Sequence, residues 1–76
     1  MLRRFEIPLA FAKGGEEYEI VGINGGGGIR RRLEEMGIFP GRKIKLISNS
    51  AGPLMLGIGD NRIAVGRGIA FKIIVR

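Results

Sequence analysis

The chain reads as a mainly β protein, a small closed or nearly closed barrel of about five strands with one short α-helix. Three observations lead there. Short apolar runs, several of them alternating with polar residues, recur between turns. Glycine supplies 14 of 76 residues while hydrophobic residues make up 45%, a composition of tight turns around a packed sheet and not of a disordered chain. One segment alone, near the middle, repeats apolar residues at helical spacing. With no cysteine to bridge it, so small a sheet must close tightly to be stable, and closure also hides strand edges.

The elements follow in order. Ile7 to Ala12 is apolar around Pro8 and predicts a short turn or single helical turn that lays Leu9 and Phe11 over the core. Lys13, Gly14 and Gly15 make a turn. Glu17 to Ile23 is the first strand, with Tyr18 and Ile20 on one face, and Asn24 to Gly28 is a glycine loop. The helix spans Ile29 to Met36, where Ile29, Leu33 and Met36 form one stripe; Gly37 is its left-handed cap and Ile38 folds back on the last turn. Phe39, Pro40 and Gly41 turn the chain into a second strand, Lys43 to Ile47, with Ile44 and Leu46 inward. After a polar loop, Ser48 to Pro53, Leu54 to Ile58 and Ile63 to Val65 pair through a hairpin at Gly59, Asp60 and Asn61. Gly66 to Ile69 crosses over, and Phe71, Ile73 and Val75 line one face of the last strand. Strands this short favour an SH3-like barrel over an OB-fold, whose strands are longer and more regular.

A chain of 76 residues that opens on methionine is expected to be one whole domain, residues 1–76. Thirteen Lys and Arg against seven Asp and Glu give a net charge of +6. That invites an acidic partner, but the basic residues are spread along the chain, which favours solubility or a protein interface over nucleic acid. The apolar stretch from Leu2 to Phe5 is broken by Arg3 and Arg4, and the run after Glu6 contains Pro8 and ends at Lys13, so no secretory signal is expected. No run approaches the roughly 20 apolar residues of a membrane span. The expected location is cytoplasmic, with no membrane insertion.

The chemistry is restricted. Histidine and cysteine are both absent, so a serine or cysteine nucleophile would lack its usual base and the usual soft metal ligands are missing. Glu16–Glu17 and Glu34–Glu35 are sequence neighbours; on a helix, consecutive side chains do not face each other. The carboxylates are too scattered to name a metal site. No catalytic residue and no cofactor is expected. The glycine run before the helix lacks the lysine and hydroxyl of a phosphate loop and reads as a connector. Of the aromatic residues, only Phe5 and Phe39 are expected to be exposed, a thin basis for stacking bases.

The helix carries its charges against the macrodipole. Arg30, Arg31 and Arg32 crowd its start while Glu34 and Glu35 sit near its end, each misplacement costing on the order of a few tenths of a kcal/mol. Arg30 with Glu34 and Arg31 with Glu35 stand as i,i+4 pairs in the weaker orientation. Either the arginines have a tertiary partner or the protein uses a basic surface there.

The stretch INGGGGIRRRLEEMGIFPG from Ile23 to Gly41 resembles the FeoA family. Arg32-Leu33, Met36-Gly37-Ile38 and Pro40-Gly41 carry the resemblance, supported by Pro8-Leu9 with Gly14, Tyr18 to Ile23, Ile63-Ala64-Val65 and Ala70 to Val75. Gly52 stands where the family often has aspartate, and Gly66 and Gly68 loosen the turn before the last strand. The resemblance implies an SH3-like barrel and a non-enzymatic accessory role in bacterial ferrous iron uptake, through contact with the cytoplasmic side of the transporter FeoB. Iron is then the cargo of the system, with no site for it read on this chain. The expected partner-binding residues are Arg30, Arg31 and Arg32 for charge, with Met36 and Phe39 as apolar contacts. Two readings stand beside it: a small basic nucleic-acid-binding barrel, and a metal-responsive regulatory domain. No small-molecule ligand is indicated.

Overall fold

A computed structural model describes residues 5–76. Arg3 and Arg4, read above as breaking the N-terminal apolar stretch, lie outside the described residues. The strands are β1 (Ile7–Pro8), β2 (Glu17–Ile23), β3 (Lys43–Ser48), β4 (Leu54–Ile58), β5 (Asn61–Val65) and β6 (Ile73–Val75), with a 3-10 turn at Leu9–Phe11, helix α1 (Gly27–Glu35) and a one-turn helix α2 (Arg67–Ala70). The expected SH3-like fold is present, with β1 as a sixth strand and α2 where a crossing turn was expected.

All pairings are antiparallel, in the order β1-β6-β2-β3-β4-β5. β2 joins the two halves. Its first residues, Glu17–Glu19, pair with β3, and from Ile20 onward it pairs with β6. The register slips between Ile20 and Gly22, and such a bulge bends a strand from one side of a barrel to the other. The radius of gyration is 11.1 Å, close to the roughly 11.4 Å expected of a compact chain of this length.

The alternation in β3 and β4 places Ile44, Leu46, Leu54, Leu56 and Ile58 inside, where they meet Ile20, Ile23, Val65, Ile73 and Val75. In β6 Ile73 and Val75 are buried as expected, and Ile74 on the opposite face is buried as well, so the strand is covered on both faces. Phe71 is 46% exposed, not on the face of Ile73 and Val75. Its N–H donates to the Arg67 carbonyl (3.1 Å), so it ends a helical turn and does not share the two-residue period of the strand. Phe11, expected over the core, is 69% exposed. In the 3-10 turn the three-residue period aims Leu9 and Ala12 inward and leaves Phe11 outside.

Neither outer strand, β1 nor β5, pairs with the other. Side chains join the segments that follow them. The Asn49 Nδ2 donates to the carbonyls of Ala10 (3.1 Å) and Ala12 (2.7 Å) in and after the 3-10 turn. Arg67 of α2 donates from Nη2 to Asn49 Oδ1 (2.7 Å) and the Ser50 carbonyl (2.9 Å), and from Nε to the Gly52 carbonyl (3.3 Å). Its Nη1 reaches the Ala10 carbonyl at 3.5 Å. The Gly14 backbone packs so near this node that a Cβ there would lie 3.2 Å from Asn49 N.

Gly28 of α1 and Gly37, just past its C-terminus, have opposite expected behaviour. Gly28 lies in the first turn with open space around its Cα, so Gly28→Ala should stabilise by about 0.5–1 kcal/mol. Gly37 has φ +86°, so Gly37→Ala should destabilise by about 1–2 kcal/mol. Thermal unfolding should move the two midpoints in opposite directions, by about 4–8 °C per kcal/mol for a domain of this size.

Candidate functional site

Helix α1 begins at Gly27, two residues earlier than the sequence reading placed it. Gly27 and Gly28 are helical and not part of a connector loop. Arg30, Arg31 and Arg32 therefore stand in mid-helix, with Arg32 already in the last turn, where a cation is favourable. The expected opposition to the macrodipole is weaker for that reason. Neither Arg30 with Glu34 nor Arg31 with Glu35 closes into an ion pair; among the described residues the pair that forms is Arg76 with Glu19, at 3.2 Å.

The C-terminus of α1 closes as expected. The Ile38 N–H donates to the Leu33 carbonyl (2.8 Å) and the Gly37 N–H to the Glu34 carbonyl (3.0 Å), which is the Schellman arrangement. Ile38 is thereby carried into the core and is fully buried. The Arg42 N–H then donates to the Phe39 carbonyl (3.1 Å), closing the Phe39-Pro40-Gly41 turn.

The stripe on α1 is graded. Leu33 is buried, Ile29 is half-buried, and Met36 remains 39% exposed. Together they form one wall of a cleft of about 210 Å³, whose other wall is Ala64 and Val65 of β5 with Gly66 and Ile69 around α2. Arg32 is its one charged residue. A second cleft, of about 240 Å³, opens on the other side of α1, between Gly22, Ile23, Arg30, Glu34 and the Ile38-Phe39-Pro40 turn.

The five sequence candidates are therefore divided. Met36 and Arg32 line the first cleft, Phe39 and Arg30 the second, and Arg31 neither. Arg30 is tied back to the barrel, its Nη2 donating to the Ile23 carbonyl at 3.2 Å. Phe39 is half-buried with the Arg42 guanidinium 5.8 Å from its ring centroid, a cation–π contact. Ala64 and Ile69 were missed. The alternation of β5 could have marked Ala64 as a small outward residue, but nothing local brings it opposite Met36.

Other openings offer less. A depression of about 510 Å³ on the outer face of β3, β4 and β5 sets Lys43, Lys45 and Arg62 among Glu17 and Asp60, so its charges largely offset one another. Among the described residues no three acidic side chains gather where they could hold a metal ion. No described helix is long and apolar enough to cross a membrane.

Comparison with known proteins adds to this geometry. Residues 7–76 match the FeoA domain family model. The chain is 48% identical over 68 residues to a Methanocaldococcus jannaschii protein provisionally named Fe(2+) transport protein A, covering 90% of this chain and 83% of the relative. It is similar to the crystal structure of an iron uptake regulatory protein, FeoA, at TM-score 0.88 and 33% identity, over 95% of this chain and 97% of that one. It also superposes on part of a manganese-dependent transcriptional repressor, at TM-score 0.84 and 17% identity, covering 99% of this chain and 43% of the repressor. That last likeness is one of fold.

The graded stripe has a measurable consequence. Leu33→Ala should cost about 2–5 kcal/mol, the range for a truncated core leucine. Met36→Ala, at a side chain already partly in water, should cost under about 1 kcal/mol in chemical denaturation.

Proposed function

This chain belongs to the FeoA domain family, and from that premise we propose that it is a non-enzymatic cytoplasmic adaptor of ferrous iron uptake that docks on a FeoB-like membrane transporter. The observation that carries the reading is the cleft between α1 and the β5–α2 corner. It is largely apolar, it leaves Met36 unburied on a well-packed domain, and Arg32 stands at it. A partner's apolar side chain could fill this cleft while a carboxylate meets Arg32, the combination of buried anchor and polar rim found at interfaces. Arg31, exposed and without a hydrogen bond or ion pair to any described residue, extends the basic surface along the helix. Phe39 and Arg30 form the other flank of the same helix, so α1 presents a contact on both sides.

The non-enzymatic part of this reading follows the family, which is one of ferrous iron transport proteins. The charged groups of the two candidate clefts are Arg32 in one and Arg30 with Glu34 in the other. What the adaptor can change is the balance between states of its partner, by binding one of them more tightly. Iron is the substrate of the transporter in this reading.

The test is binding to the cytoplasmic domain of a FeoB-like transporter by titration calorimetry. Met36→Glu should leave the fold intact and weaken binding by about tenfold or more, as for an interface anchor. Phe39→Ala should weaken it by a smaller factor. Wild-type affinity in both variants would reject the helix as the docking element.

A further inference from the structure

Phe11 and Phe71 stand out from the surface opposite to what the sequence pattern predicts. Their ring centroids lie 5.3 Å apart at an interplanar angle of 74°, an edge-to-face pair. Yet Phe11 is 69% and Phe71 46% exposed, so a large share of the two side chains meets water instead of packing. The contact braces each ring against the other and holds both outward at little entropic cost.

The charged side chains next to the two rings in sequence are cations: Lys13 between Ile7 and Gly15, and Arg67 and Lys72 between Gly66 and Val75, with no aspartate or glutamate in either segment. Arg67 bonds only to neutral oxygens, so its charge is not neutralised by its partners. Lys13 is exposed two residues from Phe11, and Lys72 follows Phe71 directly. Exposed aromatic rings set among cations match the headgroup zone of an anionic bilayer, where apolar groups enter the acyl boundary and cations meet phosphates.

We propose that the Phe11–Phe71 face is a membrane-surface contact that takes anionic phospholipid. A second copy of the chain fits less well, since each copy carries a net charge of +6. Single-stranded nucleic acid fits less well too, because a stacking platform sets successive aromatic side chains along a basic groove, and this face offers two rings in contact with each other. The contact is independent of the α1 cleft and does not require the docking reading to hold.

The experiment is co-sedimentation of the full chain with mixed phosphatidylglycerol–phosphatidylcholine vesicles, with pure phosphatidylcholine vesicles and a generic oligonucleotide as comparators. The wild-type chain should bind the anionic vesicles, release as salt rises, and ignore the neutral ones. Phe11→Ser with Phe71→Ser should lower the partition coefficient about tenfold, and Lys13→Glu with Lys72→Glu by about as much. Circular dichroism checks each fold, and should the phenylalanine pair variant unfold, Phe11→Ser alone, at the more exposed ring, carries the test with a smaller loss. Failure of the wild-type chain to bind anionic vesicles overturns the proposal. So does retention of wild-type partition when the rings are removed, which would leave charge alone. Ring-dependent binding of the oligonucleotide without vesicle binding would assign the face to nucleic acid instead and overturn the lipid contact.

Discussion

A six-stranded sheet whose outer strands do not pair needs something besides its ladders to shut it, and in this protein that is the contact between Asn49 and Arg67. The 3-10 turn follows β1 and α2 follows β5, so these two segments trail the two open edges of the sheet. Asn49 binds the first through the carbonyls of Ala10 and Ala12, and its Oδ1 accepts from Arg67 of the second. Both donors of the amide and its acceptor are used. The arginine adds the carbonyls of Ser50 and Gly52, which fixes the β3–β4 loop at the same point. Ala10 and Ala12 are buried, so their carbonyls would be costly to leave without a donor.

Both surfaces discussed above hang on this node. The α1 cleft takes Gly66 and Ile69 from the ends of α2, and the aromatic pair takes Phe11 from the 3-10 turn and Phe71 from the residue after α2. A one-turn helix and a 3-10 turn are too short to hold a position by their own hydrogen bonds. Their geometry comes from the core residues they contribute, Leu9 and Ala70 among them, and from the side chains that lock them together. A surface built on such parts is as rigid as its anchor, and a rigid surface loses less conformational entropy on binding.

Much of this was legible because the strands obey a local rule. The alternation in Lys43–Ser48 and the Gly59–Asp60 hairpin fixed the β3–β4–β5 part of the sheet, and the helical stripe ending at Gly37 located α1 and its cap. What failed lay where a short element changes the period. Phe71 looked like the start of a strand because it alternates with Ile73 and Val75, but it closes a helical turn; Phe11 looked like core because it is aromatic in an apolar run, but the three-residue period turns it out. The Asn49–Arg67 node was invisible for another reason. Its partners lie 18 residues apart from each other, and Asn49 lies 37 and 39 residues from the carbonyls it binds, so no local pattern could announce it. Of the candidate site, the sequence marked the helix and its charged run as the expected contact; it could not divide those residues between two clefts, because the division depends on which neighbour, β5 or the Phe39 turn, each side of α1 meets.

The claim that the closure of the fold resides in one polar contact is best tested by a double-mutant cycle on Asn49→Ala and Arg67→Ala, read by denaturant unfolding. The account predicts that each single change costs about 1–3 kcal/mol and that the pair costs less than their sum, with a coupling of about 1 kcal/mol or more. Single changes within about 0.5 kcal/mol of wild type, or costs that simply add, would show that the barrel closes without them.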